Sequence, residues 1–430
     1  MDTATSVEKA EFQKTTLENG LRVVTSEVAH ARSASIGVFI GVGSRYESEA
    51  QSGISHFIEH MVFKGTRRRP TPGEISGAIE GVGGILNAGT EQELTSYWCK
   101  VPDFHLQESL DVLFDMLRGS VFDPDAVEKE RMVVAEELNM INDQPNYKVD
   151  ALIDEMLWPD HPLGRDIGGT KESIANITGD AMLEHMADSY TPNNIVVSVA
   201  GAVDHDEVVE QVASLTKDWP GGTPAAWAPV THRHQASQVR VEYRSTEQTH
   251  LSIAVPGLSM RHPDRYALDM LSVILGEGMS SRLFVEVREN KGLAYDVHSG
   301  VAHFLDSGAF EVTAGVAPKR VYEAVEAIME QLHKLKDGVP EEELDKAKRL
   351  VAGRLLLRME DNWTLANWMG PQELLLGEMT GVDEVIDSVN AVSPDDIRKV
   401  ANDLLVGELL NMAVVGPCRG QRRLERLLTL

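Results

Sequence analysis

Cysteine is scarce. The 430 residues hold only Cys99 and Cys418, far apart and in no metal or redox spacing. That excludes a disulfide framework and a cysteine-ligated metal cluster, and it predicts two reduced, buried thiols. Long apolar runs are missing too: none reaches the roughly 18–20 residues of a membrane helix, so no membrane partner is expected. The first ten residues lack the basic start and apolar stretch of a secretory signal, and also the arginine bias of a transit peptide. The expectation is a soluble chain that is not exported. Positive charge is also short, with 40 Lys+Arg against 67 Asp+Glu and a net charge of −27. Phosphate binding needs a basic face, so no nucleic-acid partner is expected. The basic cluster that stands out, Arg67-Arg68-Arg69, reads as a solvated loop. An acidic field of this size would draw in basic peptides or metal cations. Gly83-Gly84 matches no phosphate-cradling motif.

What is present is a chain with 42 % apolar residues, enough for a sizeable core. Its length suits two or three domains. Strand signals fall at Leu21–Thr25 and Ser35–Ile40, and a helix at about 55–64. Thr71-Pro72-Gly73-Glu74 reads as a capping box opening the next helix. A strand pair is expected over 85–101, then helices at about 106–117 and 125–140. The stretch Asn194–Gly201 reads as a strand with a glycine stop. Gly and Pro crowd into 219–229, the clearest linker, which cuts the chain almost in half. The second half again opens with strands, 239–243 and 250–255. Helices follow at 264–275 and 280–288, strands near 294–303 and 308–315, and then a run of helices. It closes on the strand Asn411–Gly416. Both halves end in an apolar strand, a glycine and a helix, a weak internal duplication. The expected fold class is α+β, with domains 1–218 and 236–430 joined by a linker at 219–235.

The sharpest chemical signal is Ser55-His56-Phe57-Ile58-Glu59-His60. On a helix His56 and His60 project from one face, where two imidazoles can take two positions of a tetrahedral zinc ion. Glu59 reaches the same space without ligating, the place for a general base. This is the inverted zincin pattern, H-x-x-E-H. A catalytic zinc needs a third protein ligand, and 128–137 supplies candidates on a second helix. Glu130 and Glu137 share a face with Val133 and Val134 between them, while Glu136 points about 100° away from Glu137.

Three motifs then resemble the pitrilysin family of metallopeptidases, within it the branch of the mitochondrial processing peptidase and its bacterial relatives. They are Gly41-x-Gly-Ser-Arg-Tyr-Glu47, the run Gly53–Thr66 around the histidines, and Glu130-Arg-x-Val-Val-x-x-Glu137. The segments 162–165 and 190–194 look similar as well. The resemblance covers nearly the whole chain. It implies Glu137 as third zinc ligand and Glu130 as a support of the site. In the second half, Gly276–Phe284 and Arg288–Tyr295 resemble the segment whose arginine and tyrosine hold substrate and stabilise the oxyanion; here those are Arg288 and Tyr295.

The same resemblance implies an architecture of two similar domains, each a mostly antiparallel sheet packed with helices. Together they form one half of a clam-shell peptidase. The expected partner is a second copy, a homodimer in which Arg288 and Tyr295 of one subunit complete the zinc site of the other. A heterodimer with a separate partner is the alternative. Segment 87–90 resembles the edge strand on which extended peptides add, so Asn87 and Ala88 are expected to bind substrate; Asp150 stands where an acid could select a basic residue. The expected function is zinc-dependent endoproteolysis of extended or unfolded peptides or precursor N-terminal segments, with one Zn²⁺ per chain. The alternative is a non-catalytic peptide-binding or core-type subunit of the same fold. The implied location is the bacterial cytoplasm, or the mitochondrial matrix if a transit peptide has been removed.

Overall fold

The computed structural model describes residues 12–231 and 236–429. The first eleven residues and the end of the expected linker, 232–235, lie outside them. The described chain forms two compact units, each an α+β layer structure around one sheet.

Unit one comprises residues up to Ala135, then Ile167–Trp227 and Leu357–Thr380. Its strands are β1 (Phe12–Thr16), β2 (Arg22–Glu27), β3 (Ser33–Ile40), β4 (Ile85–Thr90), β5 (Thr95–Pro102) and β6 (Ile195–Gly201). They lie in the order β1-β2-β6-β3-β5-β4, with β2–β6 parallel and every other pair antiparallel. Strands β3 and β6 are buried on both faces, which explains their near-continuous apolar sequences.

The helices numbered through the first half are α1 (Ile54–Met61), α2 (Pro72–Glu80), α3 (Leu106–Gly119), α4 (Pro124–Asp143), α5 (Pro145–Leu157), α6 (Lys171–Asn176), α7 (Gly179–Ser189) and α8 (His205–Thr216). Helix α2 starts in the capping box read from Thr71 and Glu74. Helix α4 is continuous, yet the border between the units falls within it, after Ala135.

Unit two comprises Glu136–Asp166, Ala228–Leu356 and the chain from Gly381. Its strands are β7 (Gln238–Tyr243), β8 (Thr249–Pro256), β9 (Ala294–His303), β10 (Gly308–Val316) and β11 (Asn411–Gly416). Their order is β7-β11-β8-β10-β9, with β7–β11 parallel and the rest antiparallel. The later helices are α9 (Arg265–Gly276), α10 (Val321–Lys336), α11 (Glu341–Arg358), α12 (Asn362–Leu376), α13 (Val382–Ala391), α14 (Pro394–Leu404) and α15 (Gln421–Leu427).

Set aside β1 and the two sheets have one topology, with β2, β6, β3, β5 and β4 matching β7, β11, β8, β10 and β9 in turn. The duplication is therefore built into the strand order. The covering helices are exchanged between the halves of the sequence. Helix α12, from the second half, lies on β3 and β6, and α5, from the first half, lies on the matching β8 and β11. So 136–166 and 357–380 belong to units other than a single cut at 219–235 would give them. Sequence periodicity reports that a helix has an apolar face, not which sheet that face covers.

The α12 seam shows why the covering is specific. Trp363 stacks on Trp98 with centroids 4.3 Å apart and lies 6.2 Å from Phe39. A Cβ on Gly370 would stand 2.3 Å from the Phe39 ring, so only glycine admits that approach.

Candidate metal centre

Helix α1 carries the inverted zincin residues, and its start is tightly tied. Gly53 takes φ +90°, and a Cβ there would come within 2.4 Å of the Gly168 carbonyl oxygen, so glycine is required. The buried Glu47 carboxylate accepts the Gly53 N–H at 2.7 Å and the Ser55 N–H at 2.8 Å. A negative group at the positive end of a helix is favourable. The buried ion pair of Arg45 with Glu93, 2.5 Å apart, fixes the preceding turn, and the Arg45 guanidinium lies 4.1 Å from the centre of the Trp227 ring. The motif Gly41–Glu47 thus acts as the foundation of α1.

On the opposite side of α1, His56 Nε2 and His60 Nε2 stand 3.2 Å apart. Glu130 Oε1 accepts from His60 Nδ1 at 2.9 Å, and Lys64 Nζ binds Glu130 Oε2 at 2.7 Å. That carboxylate holds the proton on Nδ1 and leaves the His60 Nε2 lone pair facing His56. Helix α4 supplies the remaining oxygen: ligand atoms of His56, His60 and Glu137 all lie within 4.8 Å of one another. Spacing left Glu136 and Glu137 both open. The structure separates them, since Glu136 is exposed and accepts from Asn139 at 3.1 Å. Arg131 anchors the same helix ahead of both. It donates to the carbonyls of Ile174 and Ile177 and lies 5.4 Å from the centre of the Phe57 ring.

The donor set fits zinc. Two imidazole nitrogens across one tetrahedral ion at ordinary Zn–N distances would sit about 3.3 Å apart, close to the 3.2 Å found here. Two nitrogens, one carboxylate and an open fourth position are the pattern of a catalytic zinc.

Glu59 lies between His60 and the outer strand β4. Thr90 donates its hydroxyl to Glu59 Oε2 at 2.7 Å. Burial pushes the Glu59 carboxyl above its usual range, while the Thr90 hydrogen bonds and His60 pull it down. Sequence reading missed Thr90, Lys64 and Glu47 as partners of the site. Glu47 stood in a quoted motif and Thr90 in the quoted edge segment, but only tertiary contact reveals what they touch.

The other candidates fall elsewhere. Asn87 and Ala88 are on β4, where Asn87 Oδ1 accepts the Ala88 N–H at 2.8 Å. Asp150 is on α5 in unit two, with its carboxyl pushed up to about 6 by burial and opposed by His298. Arg288 and Tyr295 are also in unit two. The helix expected at 280–288 is π-helical over Phe284–Asn290, and the Lys291 N–H reaches back five residues to the Glu286 carbonyl. Arg288 packs between two rings, 4.6 Å from the centre of Phe284 and 4.9 Å from that of Tyr295. Tyr295 is 76 % exposed. The triplet Arg67–Arg69 is not simply solvated: Arg68 pairs with Asp111, and Arg69 with Asp111 and Asp115. A second basic stretch, Arg419, Arg422, Arg423 and Arg426 at α15, escaped the sequence reading. Among the described residues, no helix is long and apolar enough to cross a membrane.

Comparison with known proteins points to one family for the chain as a whole. Residues 22–171 match the family model described as insulinase (peptidase family M16), and residues 176–351 match the one described as peptidase M16 inactive domain. A Streptomyces coelicolor protein named an uncharacterized zinc protease is 39 % identical over 417 residues, covering 95 % of this chain and 90 % of its own. A Bacillus subtilis protein of the same description is 37 % identical over 407 residues, covering 94 % and 98 %. The crystal structure of a protease from Helicobacter pylori superposes with a TM-score of 0.90 at 25 % identity, covering 95 % of this chain and all of that one. A peptidase M16 inactive domain from Pseudomonas fluorescens shares the fold, with a TM-score of 0.88 at 20 % identity, covering 95 % and 99 %.

Proposed function

The chain belongs to the M16, or pitrilysin, family of peptidases, and from that membership we propose that it is a zinc-dependent endopeptidase acting on extended or unfolded peptides or precursor N-terminal segments. The observation that carries this reading is the convergence of His56, His60 and Glu137 beside a carboxylate, Glu59, held by its own partner.

His56, His60 and Glu137 would hold the ion. When bound there, zinc supplies Lewis acidity toward a water molecule and toward the scissile carbonyl. Glu130 and Lys64 keep His60 in the tautomer that presents Nε2. Glu59 takes the proton of the attacking water on its carboxylate and passes it to the leaving amine nitrogen. Burial raises its affinity for that proton, which suits a group that must both take and return it. The free edge of β4, with Asn87 and Ala88, would seat the peptide as an added strand. We assign Arg288 and Tyr295 as donors to the developing oxyanion, contributed by a second copy of the chain in a homodimer. The chain's net charge of −27 favours basic peptides by long-range attraction.

The test pairs a zinc assay with a quenched fluorogenic peptide. The expected result is one zinc per chain and chelator-sensitive cleavage, lost by about 10²–10⁴-fold in Glu59→Gln with zinc retained. Peptide binding without zinc and without cleavage would instead identify a non-catalytic subunit.

A further inference from the structure

Among the described residues, strand β4 ends its sheet and pairs only with β5. Successive main-chain groups of a strand point to alternate sides. The Glu91 N–H bonds the Leu94 carbonyl across the turn at 2.9 Å. Gly89 and Asn87, two and four residues back, therefore also face β5. Ala88 and Thr90 turn their amides toward the free edge. The outward amide of Ala88 bonds Asn87 Oδ1 at 2.8 Å. Thr90, the last residue of β4, grips the Glu59 carboxylate with its hydroxyl at 2.7 Å. A glutamate near the end of an eight-residue helix has several rotamers open to it. The Thr90 hydroxyl selects one of them, and α1 packs directly on β4.

We infer that Thr90 is a positioning residue, which sets the Glu59 carboxylate in register with the free edge of β4 so that a peptide added along that edge meets its base at a fixed distance. The inference rests on the peptidase reading above. It makes the last residue of the docking strand and the proton-transfer group one mechanical piece. It also explains why a threonine serves here: a valine has the same shape and cannot donate.

The test compares Thr90→Val with Thr90→Ser in the full chain loaded with zinc. Thr90→Val is expected to lower kcat by about tenfold or more, a part of what a general base contributes. KM should stay within about twofold and zinc content should match the wild type, and Thr90→Ser should restore most of kcat. Thr90→Ala replaces the valine variant if that does not fold. A second readout does not need activity: hydrogen–deuterium exchange of a peptide spanning residues 85–94 should quicken in Glu59→Ala, which removes the group that ties the end of β4 to α1. Exchange indifferent to Glu59 would overturn the inference. So would a valine variant with wild-type kcat, a loss confined to KM, or a serine variant as damaged as valine. A wild-type chain that cleaves nothing would overturn the peptidase reading and the role with it, while Glu59-dependent exchange would still record the contact and so tell the two failures apart.

Discussion

The two units share a strand order and handle buried acids in opposite ways. In unit one each buried carboxylate meets donors. Glu47 holds two amides of α1, Glu93 holds Arg45, Glu130 holds His60 and Lys64, and Glu373 holds Lys14 and Arg22. In unit two Asp150 and Asp154 on α5 crowd Glu311 on β10, with Asp166 adding to the field at Asp154. There burial chiefly raises the carboxyls of Asp154 and Glu311, and neighbouring acids add to it. Paired acids fix geometry, because charge-assisted hydrogen bonds are directional. The crowded acids are held by fewer such bonds, here the Ser252 hydroxyl on Glu311 at 2.5 Å. The unit that carries the two candidate histidine ligands is the one in which charge has been used to lock side chains.

The most severe way to break this comparison is to separate the two units' contributions genetically. Glu59→Gln removes the proposed base in one unit, and Arg288→Ala the proposed oxyanion donor in the other. Each variant alone is expected to lose about 100-fold or more in kcat/KM. Mixed and exchanged, the two should regain part of the activity, since a hybrid dimer holds one intact site. Mixtures that stay inactive would show that the site is not shared between copies. A gentler probe sharpens the idea of locked charge. Lys64→Met should weaken zinc binding by about 10–100-fold, because it loosens the carboxylate that orients His60. The ion pair Arg282–Glu343 in unit two, with contacts of 2.6 and 2.9 Å, gives the control: Arg282→Met should leave zinc affinity unchanged. Competition with a chromogenic chelator reads both.

Much of the candidate centre's chemistry was legible in the sequence, and the reason is local. His56, Glu59 and His60 sit within five residues, so one helical turn places them. Glu130 and Glu137 lie on a single helix, and periodicity puts them on one face. Spacing alone could not choose between Glu136 and Glu137, because that depends on which side of α4 meets α1. The strand order was visible only as a faint repeat. The exchange of α5 and α12 was not visible at all. Each has an apolar face that would serve either sheet, and the choice is made by close fits such as Gly370 against the Phe39 ring. Thr90 and Lys64 escaped for the same reason. A threonine at a strand end and a lysine after a helix have ordinary solvated roles, and only the folded chain brings them to Glu59 and Glu130.

The mildest prediction tests the contrast between paired and crowded acids through pH, and the two units should respond on opposite limbs. Asp111 in unit one is held below the usual carboxylate range, first by its hydrogen bonds to Arg68 and then, beyond the opposing effect of burial, by Arg69 and by the charges of both. A lowered folded pKa means that the unfolded chain binds more protons as pH falls, so this stabilisation is present at neutral pH and fades below about 4. Asp154 in unit two is pushed up to about 8, chiefly by burial and then by Glu311 and its other acid neighbours, while Glu311 itself is pushed up to about 7. A raised folded pKa reverses the sign: the folded chain binds more protons, so the contribution is complete below about pH 4 and fades as pH climbs toward 8. Asp154→Asn mimics the protonated form at every pH. It should flatten the fall of Tm between pH 5 and 8, conditions set by those pKa values, and give a higher Tm than wild type at pH 8. Asp111→Asn should leave that limb alone and flatten the acid limb instead. Calorimetric scans of the two variants across pH would expose a shared response, which would mean that the acids of unit two are no more crowded than those of unit one.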